Sequence, residues 1–120
     1  MNLLFCINPK FRPLLCQCLQ SIVKNGGEEE YDAYILHSDL TEEDAGAIEA
    51  VSDRVHCRFV VVNAKDFEGF PESSRYPRQI FYRLAAPLLL PEDLDRILYL
   101  DVDTLVINPL KELYAMEFAG

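Results

Sequence analysis

Two hydrophobic periods alternate along the first half of the chain. Asn2 to Ile7 is a nearly continuous apolar run, NLLFCI, of the length and kind expected for a strand covered on both faces. From Pro13 to Lys24 the apolar residues fall at 14, 15, 18, 19, 22 and 23. That spacing predicts a helix, with Pro13 suited to its first turn and Asn25-Gly26-Gly27 to its end. Glu28, Glu29 and Glu30 read as a solvated loop. Tyr31 to His37 is a second strand. Thr41 to Val51 is a second helix, and Asp44 follows Thr41 at the spacing of a capping box. His56 to Val62 is a third strand, with CRFVVV at its heart.

The pattern then loosens. Asn63 to Arg78 carries Gly69, Pro71, Ser73, Ser74 and Pro77 and reads as an irregular loop or lid. Gln79 to Leu90 returns to helical spacing, interrupted by Pro87, and Pro91-Glu92-Asp93 is a turn. Ile97 to Leu100 is a fourth strand, and Pro109 to Tyr114 a short closing helix. Strands and helices in this order predict an α/β fold, a mostly parallel sheet with helices on both faces. Ligands of such sheets bind at the carboxyl ends of the strands. Ile7-Asn8, the loop after the third strand and Asp101 should meet there.

Composition narrows the partners. The chain has 120 residues, half of them hydrophobic, which is one modest domain with a real core. Its 20 acidic and 11 basic residues give a net charge of -9, against a nucleic-acid or anionic-membrane footprint. The four cysteines, Cys6, Cys16, Cys18 and Cys57, lack paired zinc-site spacing and read as reduced, mostly buried thiols. No basic-apolar signal peptide opens the chain, and no apolar run is long enough for a membrane span. The expectation is a cytoplasmic protein, free or at the inner face of the membrane.

The chemistry gathers in RILYLDVDTLVI, residues 96 to 107, where Asp101 and Asp103 interrupt an apolar run. Unpartnered carboxylates are costly to bury, so either the strand surfaces there or a cation waits for them. On an extended backbone their Cα atoms would lie on one side about 6.5 Å apart, and a bend would aim both at one Mg²⁺ or Mn²⁺. Haloacid dehalogenase phosphatases also use two aspartates at a strand end, but in the pattern D-x-D-G-T. Here Thr104 follows Asp103 directly, without the glycine. Arg83, in QIFYRLAAP, could turn a guanidinium to the same edge and grip a diphosphate through paired hydrogen bonds, or pair with a surface acid.

Three blocks together resemble glycosyltransferase family 8, the lipopolysaccharide galactosyl- and glucosyltransferase type related to glycogenin. They are RILYLDVDTLVINPLKELY, YPRQIFYRLAAPLLLP and the opening LLFCINPKFRPLLCQCLQSI. The resemblance covers essentially the whole chain. It implies a GT-A fold and a retaining transferase that uses a nucleotide-diphospho-sugar, a UDP-hexose in most members, with Mn²⁺ (or Mg²⁺). It implies a glycan or lipid-linked saccharide as acceptor, in lipopolysaccharide or other glycan synthesis. Asp101 and Asp103 match the metal ligands, Val102 the residue whose backbone meets the ribose, and Arg83 the arginine at the sugar donor. Cys6, Ile7, Asn8 and Phe11 match positions that hold uracil and ribose.

The chain departs from the family pattern in the last group. The family usually has an acid where Asn8 stands and a tyrosine where Phe11 stands. The family also continues well past the metal motif, where a histidine ligand and the acceptor pocket follow. Residues 1–120 therefore read as a donor-binding portion with the acceptor-side half absent. Two other readings remain open from sequence: a non-catalytic nucleotide-binding domain acting through a partner chain, and a structural α/β domain whose acids only face solvent.

Overall fold

A computed structural model describes residues 1–27, 29–62, 90–94 and 96–116 of the chain. Four strands form one sheet: β1 (Asn2–Cys6), β2 (Tyr31–His37), β3 (Val55–Val61) and β4 (Leu98–Tyr99). Their order is β3-β2-β1-β4 and every pairing is parallel. The register sets Leu4 opposite both Tyr34 and Tyr99, and Tyr31 opposite Val55. Around the sheet lie α1 (Arg12–Asn25), α2 (Glu42–Glu49) and the one-turn α3 (Lys111–Tyr114), with a 3-10 turn at Pro9–Phe11.

Strand periodicity sorts the core into two layers. Leu3, Phe5 and Ile7 of the first strand segment and Tyr31, Ala33 and Ile35 of β2 face one side. There they meet Leu15, Cys18, Leu19 and Ile22, which recur at the i, i+3, i+4, i+7 positions of α1, and Ile48 of α2. Leu4, Cys6, Tyr34, Leu36 and Val62 face the other side, with Leu90, Leu94 and Ile97 packed against them.

Strand order explains which side each connection takes. β1 to β2 to β3 steps in one direction across the sheet, so two right-handed crossovers put α1 and α2 on the same face. From β3 the chain must return past β2 and β1 to reach β4. Leu90, Leu94 and Ile97, shortly before β4, lie on the opposite face. The expectation of helices on both faces is therefore met by described residues on one face only. The loop expected over Asn63 to Arg78 and, but for Leu90, the helix expected over Gln79 to Leu90 fall on residues 63–89, outside the described residues.

Element boundaries moved for identifiable reasons. α1 starts at Arg12 rather than Pro13, because the preceding 3-10 turn leads straight into it. Thr41 is the N-cap of α2 rather than its first residue, and the capping box with Asp44 is complete in both directions. The third strand starts and ends one residue early, at Val55 and Val61, matched to Tyr31 and His37. Of the expected Ile97 to Leu100 strand, only Leu98 and Tyr99 pair.

Polar contacts fasten the layers. Arg12 meets Asp44 at 2.9 Å and joins the start of α1 to the first turn of α2. The Thr41 backbone N–H, then its hydroxyl and the Arg12 guanidinium, hold the Asp44 carboxyl below its ordinary value, against the contrary pull of burial. Arg54, just before β3, donates to the carbonyls of Val23 (3.3 Å), Glu29 (3.1 Å) and Gly27, closing the α1–β2 loop over the strand start.

Gly26 caps α1 where space runs out. A Cβ there would stand 2.5 Å from the Ile22 carbonyl oxygen and 2.9 Å from the Tyr31 hydroxyl. Gly26→Ala should therefore destabilise the chain by about 1–3 kcal/mol, read as a lower urea midpoint at unchanged slope. His37 supplies a pH signature. Its Nδ1 accepts from the Leu40 N–H at 3.2 Å, its ring stands edge-on to Phe59, and burial lowers its pKa from 6.5, opposed by Asp39. The unfolded chain then binds more protons than the folded one. Stability should be full above pH 6.5 and decline as pH falls below that value. His37→Gln should flatten the decline in urea midpoints measured between pH 7.5 and pH 5.

Candidate functional site at the carboxyl edge of the sheet

The acid pair sits in a turn, not in a strand. The ladder from β1 ends where the Leu100 N–H donates to the Leu4 carbonyl at 3.1 Å. Thr104 then closes the chain on itself: its N–H and its hydroxyl both donate to the Asp101 carbonyl, at 3.2 and 2.7 Å. This replaces the extended backbone expected at Asp101 to Asp103. It is the bend that lets two alternate carboxylates leave the sheet edge together. Asp101 and Asp103 are both exposed, while Val102 between them is half-buried and packs on the α1-side core. The apolar middle residue pins the turn and both acids face outward.

Beyond the turn, the chain runs along α1 instead of forming a ladder with another strand. Cys18 Sγ lies 3.8 Å from the Thr104 hydroxyl. The Val106 N–H donates to Ser21 Oγ at 2.8 Å, and Asn25 Nδ2 donates to the Val106 carbonyl at 2.9 Å. The Leu110 N–H donates to the Gly26 carbonyl at 3.0 Å. Val106 is buried, whereas Leu105 and Ile107 are 66 % and 76 % exposed. The apolar stretch TLVI is thus a one-sided edge strap and not the continuation of a buried strand. Burial raises the Cys18 thiol pKa, the Thr104 contact lowers it, and Asp103 adds to the rise.

At the end of β1, the Ile7 N–H donates to the Leu36 carbonyl at 3.1 Å. The Cys6 and Ile7 side chains are both buried, in the two opposite cores, so only their backbones are available to a ligand at this edge. Asn8 is half-buried and caps the 3-10 turn, its Oδ1 accepting from the Lys10 N–H at 3.0 Å. The Phe11 N–H donates to the Asn8 carbonyl at 3.0 Å, and the Phe11 ring is 36 % exposed. Sequence patterning missed this turn because Pro9 breaks the apolar run and only two residues follow it before α1.

The sheet brings Asn8 and Asp101 to one edge. β1 leads outward through β2 and β3, while β4 pairs on its other side, so the strand order reverses between β1 and β4. Crevices outside the carboxyl ends of strands at such a reversal are where open parallel sheets bind ligands. Asp101 lies two residues past Tyr99 and Cys6 two residues past Leu4, its paired partner. Arg83 lies outside the described residues.

Hard carboxylate oxygens suit Mg²⁺ or Mn²⁺, which keep waters or phosphate oxygens as their other ligands. No group of three or more His, Cys, Asp or Glu side chains that could hold a metal occurs among the described residues. Asp101 and Asp103 offer two carboxylates of the hard kind such a cation takes, fewer than a full group. An open groove of about 390 Å³ between α1 and the strap, lined by Gln17, Lys24 and Leu105 among others, contains none of the expected site residues. None of the described helices is long and apolar enough to cross a membrane.

The sequence and fold have known counterparts. The model of the family described as "Glycosyl transferase family 8" matches residues 2–120. A protein of Haemophilus influenzae named "Putative glycosyltransferase" is 27% identical over 100% of this chain and 37% of its own length. A lipopolysaccharide 1,2-glucosyltransferase of Escherichia coli is 26% identical over 83% of this chain and 30% of its own. The crystal structure of the galactosyltransferase LgtC in complex with donor and acceptor sugar analogues matches with a TM-score of 0.84 and 27% identity. It covers 98% of this chain and 43% of that one. This chain spans less than half the length of these relatives. By a family match over residues 2–120 and a structural match over 98% of its length, the chain belongs to glycosyl transferase family 8, and its fold is the GT-A fold.

Proposed function

We propose that residues 1–120 are the donor-binding portion of a GT-A glycosyltransferase domain. It holds a nucleotide-diphospho-sugar, a UDP-hexose by the family's usual choice, for transfer to a glycan or lipid-linked saccharide acceptor in lipopolysaccharide or other glycan synthesis. The observation that carries this reading is the strand reversal between β1 and β4, with Asn8 at one strand end and the Asp101–Asp103 turn at the other. One end of the crevice offers an exposed ring and an amide, suited to a base. The other offers two outward carboxylates, suited to a cation and, through it, a diphosphate.

Roles follow from the groups. Phe11 stacks on the base and Asn8 meets its edge, while the buried Cys6 and Ile7 contribute backbone alone. Val102, anchored in the core, leaves its backbone to the ribose. Asp101 and Asp103 would hold Mn²⁺ or Mg²⁺, which when bound supplies a Lewis acid at the diphosphate. Arg83 would donate paired hydrogen bonds to the same diphosphate as negative charge develops on it. Retention at the anomeric carbon comes from the family resemblance alone. No side chain is assigned as nucleophile.

Calorimetry with UDP and with CDP, with and without Mn²⁺, tests the reading. Metal should strengthen binding of at least one of them. Asp101→Asn or Asp103→Asn should remove that strengthening, weakening metal-dependent affinity by about 100-fold or more, beyond the effect of losing an outer partner. Equal affinity with and without metal for both nucleotides would overturn it. Arg83→Ala should weaken binding of UDP far more than of uridine.

A further inference from the structure

α1 turns one row of polar side chains, Cys18, Ser21 and Asn25, toward the chain that leaves the acids. Spaced three and four apart, they stand on one face of the helix. Counting protons fixes the direction of each bond. The Ser21 hydroxyl gives its proton to the Cys18 carbonyl at 2.6 Å, so only its lone pairs are left for the Val106 N–H at 2.8 Å. The Thr104 hydroxyl gives its proton to the Asp101 carbonyl at 2.7 Å. In its 3.8 Å contact with Cys18 it must therefore accept, and the buried thiol donates. The Leu100 N–H makes the last bond to β1, and among the described residues the next bonds to another element are those of Thr104 and Val106 to α1. Asp101 and Asp103 lie between these two anchors, on either side of the half-buried Val102.

We infer, resting on the metal and nucleotide reading above, that Thr104 is a positioning residue: its hydroxyl holds Asp101 and Asp103 at the spacing a divalent cation meets. Two carboxylates one residue apart repel each other, and in an exposed turn that repulsion favours conformers that spread them. The turn has two closures, both onto the Asp101 carbonyl. The Thr104 N–H reaches it at 3.2 Å and the hydroxyl at 2.7 Å, so the hydroxyl makes the shorter bond. A backbone closure of this kind is open to turns of almost any sequence. The hydroxyl adds a second tie and joins the turn, through Cys18, to a fourteen-residue helix. A cation then meets two acids already placed, and less chain ordering opposes its binding. The effect runs through Asp101 rather than through contact with the cation, because the hydroxyl is engaged by the Asp101 carbonyl and the Cys18 thiol.

Three substitutions separate the hydroxyl from the rest of the side chain. Thr104→Val keeps the shape and the N–H bond and loses the hydroxyl. Thr104→Ala loses it without the branched bulk, and Thr104→Ser keeps it. Thr104 is exposed, so each variant should fold. The readout is the factor by which Mn²⁺ strengthens binding of UDP or CDP, measured by calorimetry with and without the metal, beside the melting temperature. Valine and alanine should each cut that factor about tenfold, the cost of losing a partner that orients a ligand. Serine should preserve it. Metal-free nucleotide affinity should stay unchanged in all three, whereas a merely structural threonine would move it together with the melting temperature. A valine variant with the full metal factor would overturn the inference, and so would a loss that serine shares. No strengthening by Mn²⁺ in the unaltered chain would instead overturn the metal reading, and this inference with it.

Discussion

Strand β1 must satisfy two ladders that belong to opposite halves of the sheet. On one side it pairs with β2 over five residues, and on the other with β4 over two. Leu3, Phe5 and Ile7 on one face, with Leu4 and Cys6 on the other, leave it almost no contact with water. A strand buried this way has no solvent to take up an unmade hydrogen bond, so its register is fixed by both neighbours at once. The Asn8 turn and the Asp101 turn inherit that register. Their relation is settled by backbone pairing before any polar side chain of the site is considered.

How much of this was readable from sequence depends on the range of the forces involved. The NLLFCI and Tyr31-to-His37 runs are strands because their apolar content needs cover on both faces, and that is visible locally. So is α1, whose Leu15, Cys18, Leu19 and Ile22 stripe is its buried face, and so is the Thr41–Asp44 box. A bend between the acids was expected only as what a shared cation would need; how it closes was not readable, because a Thr104 hydroxyl folding back onto a carbonyl leaves no trace in hydrophobic periodicity. Residues 104 to 107 look like strand for the same reason. Alternation is equally compatible with a ladder and with a strap, and only the positions of Ser21 and Asn25 on α1 decide between them.

The candidate site divides along the same line. That two acids one residue apart could share a cation was evident from their spacing. That Val102 would be their anchor required knowing which face of the sheet the core occupies. The family resemblance supplied residue matches at the end of β1 but not the state of those residues. Cys6 and Ile7 turn out to be core side chains, and Asn8 is already engaged by its own turn. Residues buried in a core and residues that touch a ligand can occupy adjacent positions because side chains of a strand point alternately to its two faces.

α1 begins one residue after Phe11, and its middle and end carry the contacts to Thr104, Val106 and Leu110. The same rigid rod thus starts at the Asn8–Phe11 end of the crevice and braces the acid end. Cys18 stands six residues along it from Arg12, a rise of about 9 Å. The helix acts as a second gauge beside the β1 register: a count of helical residues, not a loop, spans the distance from Phe11 to the segment that follows the acids. A nucleotide that fits would meet both ends already spaced, with little ordering left to do on binding.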